Sequence, residues 1–485
     1  MSWIVSLNLV AAEEILSAAG LVLMLVAAWA GDKSARAISV AAVAALVAAS
    51  AFVLQGLGAT GAQTSAFYGQ YADDGFAAYA KLLIYLAAAV AVIVAPRFFA
   101  PRDEMRAEYP VLVLFAALGM GLMVSATDLL TLYIGLELNS LAAYVLAAML
   151  RRDERSAEAG LKYFVLGALA SGILLFGMSL TYGFSGSTNF VAIGKALHGQ
   201  LATGALFGVV FMLVGLAFKI SAVPFHMWTP DVYEGSPTPV TTFFATAPKV
   251  AALCLLMRVT LVAFGAEVVA WQQIVIALSL LSIVVGALGA IGQTNLKRLL
   301  AYSSINNVGF MLIGLAAATP AGVSAVLVYL FIYVFTSFAG FAAVLLLRDR
   351  EGEQIESLAD IAGLSRTRPA LAAVLAMVMF SLAGIPPLFG FWGKFVVFQA
   401  AVAAGMVPLA AIGIAASVIG AFYYLKVVKV MYFDDPADKV APASDVAHNA
   451  ILLVSAVVIS PVGYLMTNWL GGVAQQAAAA LFHTA

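Results

Sequence analysis

The stretch Gly215-Leu-Ala-Phe-Lys219-Ile-Ser-Ala-Val-Pro224-Phe-His226-Met-Trp228-Thr-Pro230-Asp231-Val-Tyr233-Glu234-Gly-Ser-Pro237-Thr-Pro239, followed by Val240 to Ala247 and then Pro248-Lys249, decides how this chain is read. An apolar helix carries a lysine and meets a proline five residues later. A polar, proline-punctuated turn follows, and the next apolar helix carries a second lysine. Ionisable side chains are costly in hydrocarbon, and broken helices survive only where protein or water receives the freed backbone groups. A chain that keeps both features together points to an ion or proton path through a membrane.

Composition agrees. Of 485 residues, 64% are hydrophobic and only 10% charged, with mean hydropathy +1.03. Soluble domains carry about 25% charged residues, so an integral membrane protein is expected, with room for many spans of about 20 apolar residues. The formal net charge of -1 gives no reason to expect nucleic acid. The single cysteine, Cys254, excludes an internal disulfide and disfavours a cysteine-ligated metal. The opening MSWIVSLNLVAAEE lacks a basic region, so a cleaved leader is not expected. Gly56, Gly58 and Gly61 match a dinucleotide fingerprint in spelling only, because no strand precedes them.

Hydropathy places about 14 transmembrane helices, at roughly 9–30, 36–57, 76–96, 109–127, 128–150, 160–183, 203–230, 238–263, 271–292, 297–318, 322–347, 368–402, 405–430 and 448–470. The loop 348–368 is read as a short surface helix. Of the 24 lysines and arginines, all but six collect on one side of this arrangement, which is then the inner side. Lys81, Lys195 and Arg258 fall at or near the outer side. The other three, Lys219, Lys249 and Lys394, fall deep inside spans. Both termini are then outside.

A second break occurs at Ser381-Leu-Ala-Gly384-Ile-Pro386-Pro387-Leu-Phe-Gly390-Phe-Trp392-Gly-Lys394. Like the first, it combines small residues, proline, aromatics and one lysine. The discontinuous helices at about 203–230 and 368–402 stand five spans apart, as corresponding members of two inverted five-helix repeats would. The expected fold class is therefore an all-α integral membrane protein. It has a three-helix segment at 1–108, repeats at 109–263 and 271–430, and a C-terminal helix and tail at 448–485.

Lys219 lies about 24 Å from the outer end of its span and Lys249 about 17 Å from the inner end of its own, at the helical rise. Burial disfavours a charged amine and a nearby carboxylate favours it, so moving the carboxylate would switch a lysine between loaded and unloaded. Glu137, near the middle of the fifth span, is the natural carboxylate for Lys219. A static ion pair is the plainer alternative. Lys394, in the outer half of its span, is a proton carrier or an outer-end snorkeller. His226 suits relay work, or bonds the carbonyls freed at the break. Glu158 and Lys162 read as an interfacial charge cluster, Lys297 and Arg298 as topology anchors, and Ser303 to Asn307 as a polar face able to hold waters. His198, His448 and His483 lie in a loop or near the termini, which disfavours a membrane haem.

In these motifs the chain resembles the antiporter-like membrane subunits of respiratory complex I over about residues 10–470. The resemblance rests on Lys219 to Pro224, Gln293 to Gly309 and the broken span before Lys394. The wording from His226 to Pro237, the lysine at 394 and the absence of a long C-terminal extension resemble the N-type branch more than the M and L branches. The resemblance implies 14 helices with two inverted repeats, and it places Glu137, Lys219, Lys249 and Lys394 on a buried proton path with His226 as a link. It further implies outward proton translocation in a bacterial inner membrane, driven by NADH-to-quinone electron transfer in partner subunits. Flavin (FMN), iron–sulfur clusters and quinone would belong to those partners, with no cofactor on this chain; membrane lipids and neighbouring antiporter-like subunits would surround it. Left open beside this are a cation/proton antiporter, a hydrogenase membrane subunit, and a structural subunit of the same complex that moves nothing.

Overall fold

The computed structural model describes residues 3–55, 57, 64–100, 104–199, 202–442 and 445–482. Arg102, His483 and the three glycines of the 56–61 spelling lie outside these. Among the described residues, 11 helical stretches are long and apolar enough to cross a membrane, or up to 13 if each sharply bent pair counts as one span. All 14 expected spans fall on a helix or a helix pair. The count differs because Ala11–Val53 is one apolar stretch by composition but folds as two helices packed on each other about the turn at 31–34, and because some spans are built from half-length helices.

The N-terminal segment comprises α1 (Trp3–Leu9), α2 (Ala11–Ala30), α3 (Ala35–Val53), a small antiparallel hairpin of β1 (Thr64–Ala66) and β2 (Tyr71–Asp73), and α4 (Gly75–Phe99). Next come α5 (Glu108–Ser125), α6 (Leu129–Ala147), α7 (Glu154–Ser185), the short α8 (Phe190–Leu197) and α9 (Thr203–Ile220). Then follow α10 (Trp228–Gly235), α11 (Thr238–Phe244), α12 (Ala247–Arg258), α13 (Val268–Ile291), α14 (Leu296–Ala316) and α15 (Pro320–Leu346). The chain closes with α16 (Leu364–Thr367), α17 (Pro369–Ala383), α18 (Phe389–Ala403), α19 (Val407–Phe433), α20 (Val446–Ile459) and α21 (Thr467–Phe482).

Polar residues at the span ends start the helices, because the first backbone N–H groups need acceptors. Asp74 accepts from Ala77 N at 2.7 Å, Asp128 from Leu130 N at 2.8 Å, Asn295 from Arg298 N at 3.1 Å and Thr319 from Gly322 N at 3.1 Å. Without a hydrophobic force between helices in lipid, close packing decides which ones pair. At the α5–α6 crossing, a Cβ on Gly119 would come within 2.6 Å of the Gly135 carbonyl and the Asn139 amide, so these backbones approach only because the residue is glycine.

Burial is graded across the bundle. The most apolar windows of Thr238–Ala263 and Leu296–Ala316 are 100% and 94% buried, whereas those of Ala11–Val53 and Val407–Phe433 are 33% buried. Of these two central stretches, one carries Lys249 and the other the polar face of α14, and the outer ones face lipid.

Four details differ from the sequence reading. First, the span 238–263 is itself broken, between α11 and α12, at Thr246 (φ -120°, ψ -84°). Second, the loop 348–368 is no surface helix. It holds an Arg348–Gln354 bridge, a single 3-10 turn at Ala359–Ile361 and the four-residue α16, because its polar groups are spent on pairing with the helix ends beneath. Third, the C-terminal tail is helical: α21 packs on α15 and α4 and turns through 65° from α20. Fourth, Lys81 and Arg258 are not cations at exposed helix ends. The hairpin and the Asp74 cap fold over them. Arg258 makes a bidentate pair with Asp74, both bonds at 2.9 Å, and its Nε donates to the Val124 carbonyl. Lys81 pairs with Glu13 at 2.7 Å and donates to the Tyr71 hydroxyl.

At the opposite, lysine- and arginine-rich end, one ion network ties the halves together. Lys162 pairs with Glu158 at 2.6 Å and with Asp231 at 2.7 Å. Arg298, in the first turn of α14, pairs with Asp231 at 2.6 Å and Glu234 at 3.0 Å. Buried Lys297 donates to the Glu234 and Ser236 carbonyls and pairs with Glu356 at 3.2 Å. The residues read as anchors and as an interfacial cluster thus form a clamp on α10.

Removing one member of a buried pair strands the other charge, at a cost of about 3–5 kcal/mol. Arg258→Ala is expected to lower the thermal midpoint of the detergent-solubilised protein well below that of a surface Arg→Ala control, with the Asp74→Ala/Arg258→Ala double variant partly recovering it. The clamp carries a second prediction. Burial alone would raise the Asp231 carboxyl, but the hydrogen bonds and charges of Lys162 and Arg298 hold it below its ordinary value. A depressed carboxylate contributes stability above its unfolded value near ~3.9 and loses it as pH falls through the folded value. The parent protein is therefore expected to keep this contribution from pH 7 to about 4 and shed it in stronger acid, while Asp231→Asn lacks it throughout; midpoints measured against pH would show the two curves converging at the acid end.

Candidate functional site

The site is built on two breaks that share one geometry. The helix α9 ends at Ile220 with Ser221 in the left-handed region (φ 65°, ψ 34°), and the Ala222 amide returns to the Ala217 carbonyl at 2.9 Å. The helix α17 ends at Ala383 with Gly384 left-handed (φ 79°, ψ 41°), and the Ile385 amide returns to the Phe380 carbonyl at 3.0 Å. Both are Schellman ends. A cis X-Pro bond lies three residues past the left-handed residue in each, at Val223-Pro224 and Pro386-Pro387.

A broken helix leaves terminal carbonyls without intrahelical partners, and in a bilayer no water is at hand to receive them. Here lysines do so. Lys249 Nζ donates to the Ile220 carbonyl at 3.0 Å and to Ser221 Oγ. Lys394 Nζ donates to the Ala383 carbonyl at 3.0 Å. Trp228 Nε1 takes the Phe218 carbonyl at 3.0 Å. A cation at a helix C-terminus also meets the negative end of its dipole. The break at Thr246 lets Pro248 and Lys249 turn toward α9, which is why the amine reaches a carbonyl on another helix.

All three deep lysines are buried, at 7% exposure for Lys219, 1% for Lys249 and 7% for Lys394. Lys219 Nζ donates to Ser140 Oγ at 2.7 Å, and the rings of Tyr144 and Phe218 lie 5.8 Å away. Glu137 stands three residues before Ser140 on α6. It makes no ion pair within 4.0 Å of Lys219 and keeps its Oε1 buried with no hydrogen-bond partner. In place of the expected direct pairing, Lys219 bonds Ser140 Oγ, which itself donates to the Leu136 carbonyl. His226 sits in the turn between α9 and α10, half-buried, with Nδ1 unpartnered. The Ile220 and Phe218 carbonyls bond to Lys249 and Trp228, while the backbone of Pro224 is the group beside His226.

Between Lys249 and Lys394 lies a row of buried polar side chains. Lys249 lies 5.5 Å from the Trp228 ring and 6.0 Å from the Tyr233 ring. Tyr233 is beside Ser304 and Tyr333, and the Tyr333 hydroxyl donates to Ser304 Oγ at 2.8 Å. One turn on, Tyr329 donates to Asn307 Oδ1 at 2.7 Å, and Ser303 bonds Tyr424 at 2.5 Å. The Tyr329 ring packs against Gly393, leaving room for no Cβ there, and Lys394 Nζ stands 4.5 Å over the Phe310 ring. A cavity of about 10 Å³ beside Ser303, Tyr333 and Thr336 is large enough for about one water. The Ser303-to-Asn307 face thus joins the site. Sequence reasoning missed Ser140, Ser221, Tyr329, Tyr333 and Tyr424. Ser221, two residues after a deep lysine, carried a signal; Tyr329 and Tyr333, set in an apolar run, and Tyr424, beside Tyr423, carried none.

With this geometry in place, the comparisons are direct. The family model described as "NADH:quinone oxidoreductase/Mrp antiporter, TM" matches residues 126–420, which span both breaks and all three lysines. A curated relative from Erythrobacter litoralis, NADH-quinone oxidoreductase subunit N, is 65% identical over 479 residues, covering 98% of each chain. The subunit N 1 of Rhizobium meliloti is 47% identical over 480 residues, covering 99% of this chain and 98% of the relative. Among solved structures, a chain of respiratory complex I from Thermus thermophilus superposes with TM-score 0.81 at 33% identity, covering 95% of this chain and 98% of that one. A chain of the Mrp complex from Dietzia shares the fold, with TM-score 0.83 at 22% identity over 99% and 98% of the two chains. This multi-pass membrane chain, with its lysine-capped helix breaks, belongs to the subunit N branch of the antiporter-like NADH-quinone oxidoreductase family.

Proposed function

We propose that this chain carries protons across a bacterial inner membrane as part of a redox-driven NADH-quinone oxidoreductase. Its lysine-rich end and clamp face the cytoplasm, and both termini face the periplasm. The observation that carries the reading is the placement of amines at helix breaks: Lys249 and Lys394 each bond the last carbonyl of a half-helix, and Lys219 occupies the last turn of one of those half-helices. A proton bound to such an amine is held by a backbone group that a small rotation of the half-helix removes.

In this reading Lys219, influenced by Glu137, loads from the cytoplasmic side. Lys249 takes the proton across the break with His226 nearby, the tyrosine, serine and asparagine seam carries it on, and Lys394 passes it toward the periplasm. Driving one charge against 100 mV costs about 2.3 kcal/mol. A hundredfold change in the proton affinity of one amine is worth about 2.7 kcal/mol, so the loss of a contact at a break is of adequate size. Electron carriers (FMN, iron–sulfur clusters and quinone) belong to partner subunits in this scheme. This chain contributes the membrane path and contacts with neighbouring antiporter-like subunits and lipid.

Lys219→Ala, Glu137→Ala and Lys249→Ala, each assembled in the intact complex, are expected to cut NADH-driven acidification of inverted membrane vesicles severalfold or more, while NADH oxidation by a soluble acceptor stays at the parental rate. Full pumping by all three would remove the proposal. If Lys249→Ala lowered only the amount of complex, with normal pumping per complex, these lysines would be structural ties.

A further inference from the structure

Ser221 is in the wrong conformation for a serine. Left-handed backbone favours glycine, and a side chain there is strained; such strain collects at functional positions. The corresponding position in the second break is glycine, Gly384. Among the described residues, five non-glycine residues have positive φ (Phe67, Tyr68, Ser221, Ala318 and Asp438), and of these only Ser221 is buried. A Schellman end needs no hydroxyl at this position. The hydroxyl is nonetheless fully engaged: Ser221 Oγ accepts from Lys249 Nζ and, at 2.6 Å, from Thr229 Oγ1. Lys249 comes from α12 and Thr229 from α10, whereas Ser221 caps α9, so one oxygen ties the far side of the break to the deep amine.

We propose that Ser221 is a positioning residue for proton transfer between Lys219 and Lys249. It holds the Lys249 amine on the broken end of α9, within a turn of the residue that carries Lys219, and Thr229 orients the Ser221 hydroxyl for that contact. The strain is retained because glycine would leave the amine with the Ile220 carbonyl as its single partner at the break. At the second break Lys394 also meets one carbonyl, Ala383, and the position is glycine. The serine marks the break where two lysines must exchange a proton; the glycine marks the break with one. This inference rests on the proton-path reading above.

Three variants of the intact complex test it, each measured for assembled amount, NADH oxidation by a soluble acceptor, and vesicle acidification per NADH oxidised through quinone. Ser221→Gly relieves the backbone and is expected to assemble at least as well as the parent. It should nonetheless slow acidification roughly tenfold, the scale set by losing one hydrogen bond to a charged group. Ser221→Asn tolerates left-handed backbone and restores an acceptor, so it is expected to recover a substantial part of that loss. Lys249→Ala separates the two levels. If it is slow while Ser221→Gly pumps like the parent, or if Ser221→Gly fails to assemble, the positioning role is wrong and the path reading stands. If both pump like the parent, the path reading falls and the role of Ser221 falls with it.

Discussion

The structure depends on one interaction: a buried ammonium group donating to the last carbonyl of an interrupted helix. Each half of that contact would be costly alone in hydrocarbon. An unpaired carbonyl there costs several kcal/mol, and an isolated ammonium costs more. Together they satisfy each other, and the negative end of the half-helix dipole favours the positive charge. The breaks and the lysines are therefore not separate features of the sequence. Ile220 with Lys249, and Ala383 with Lys394, are the same solution reached at two places.

What surrounds the breaks keeps them from becoming simple disorder. At one end of the bundle, Asp231 and Glu234 of α10 are gripped by Lys162, Lys297 and Arg298, so the second piece of the interrupted span is anchored on two other helices. At the other end, the Arg258–Asp74 and Lys81–Glu13 pairs fasten α4 to the last turn of α12 and to α2. Buried pairs of this kind add little net stability against apolar packing. Their use is positional: they hold both ends of the helices that flank the break between Ile220 and Trp228.

The sequence displayed the parts of this arrangement that are extreme in composition. Long apolar runs gave the spans, prolines next to small residues gave both principal breaks, and lysines isolated by the charge bias gave the deep amines. It hid what depends on three-dimensional return. The interruption at Thr246 had one sign, Pro248 in the first turn of α12, but the apolar run continues through it and the span reads as unbroken. Lys219 bonds Ser140 and not Glu137, although the two stand three apart on one face of α6, and charge pairing guessed from residue type does not say which of two neighbours an amine will meet. Lys81 and Arg258 read as cations near outer helix ends until the hairpin at 64–73 and the Asp74 cap folded over them, and a ten-residue excursion with no hydrophobic period gives no warning of that.

The graded burial of the helices has one more meaning. The α12 and α14 helices beside the polar seam touch almost nothing but protein, while the Ala11–Val53 stretch, with 33% of its apolar window buried, stands at the outside. Electrically this is a sheathed cable. A row of polar groups crossing a bilayer bare would also let ions stray sideways into thinned, wetted lipid; a jacket one helix thick keeps the low-dielectric barrier intact at every depth. The N-terminal hairpin of α2 and α3, which bears none of the deep lysines, then has a duty of its own as insulation, and its loss would show first as leak rather than as lost binding.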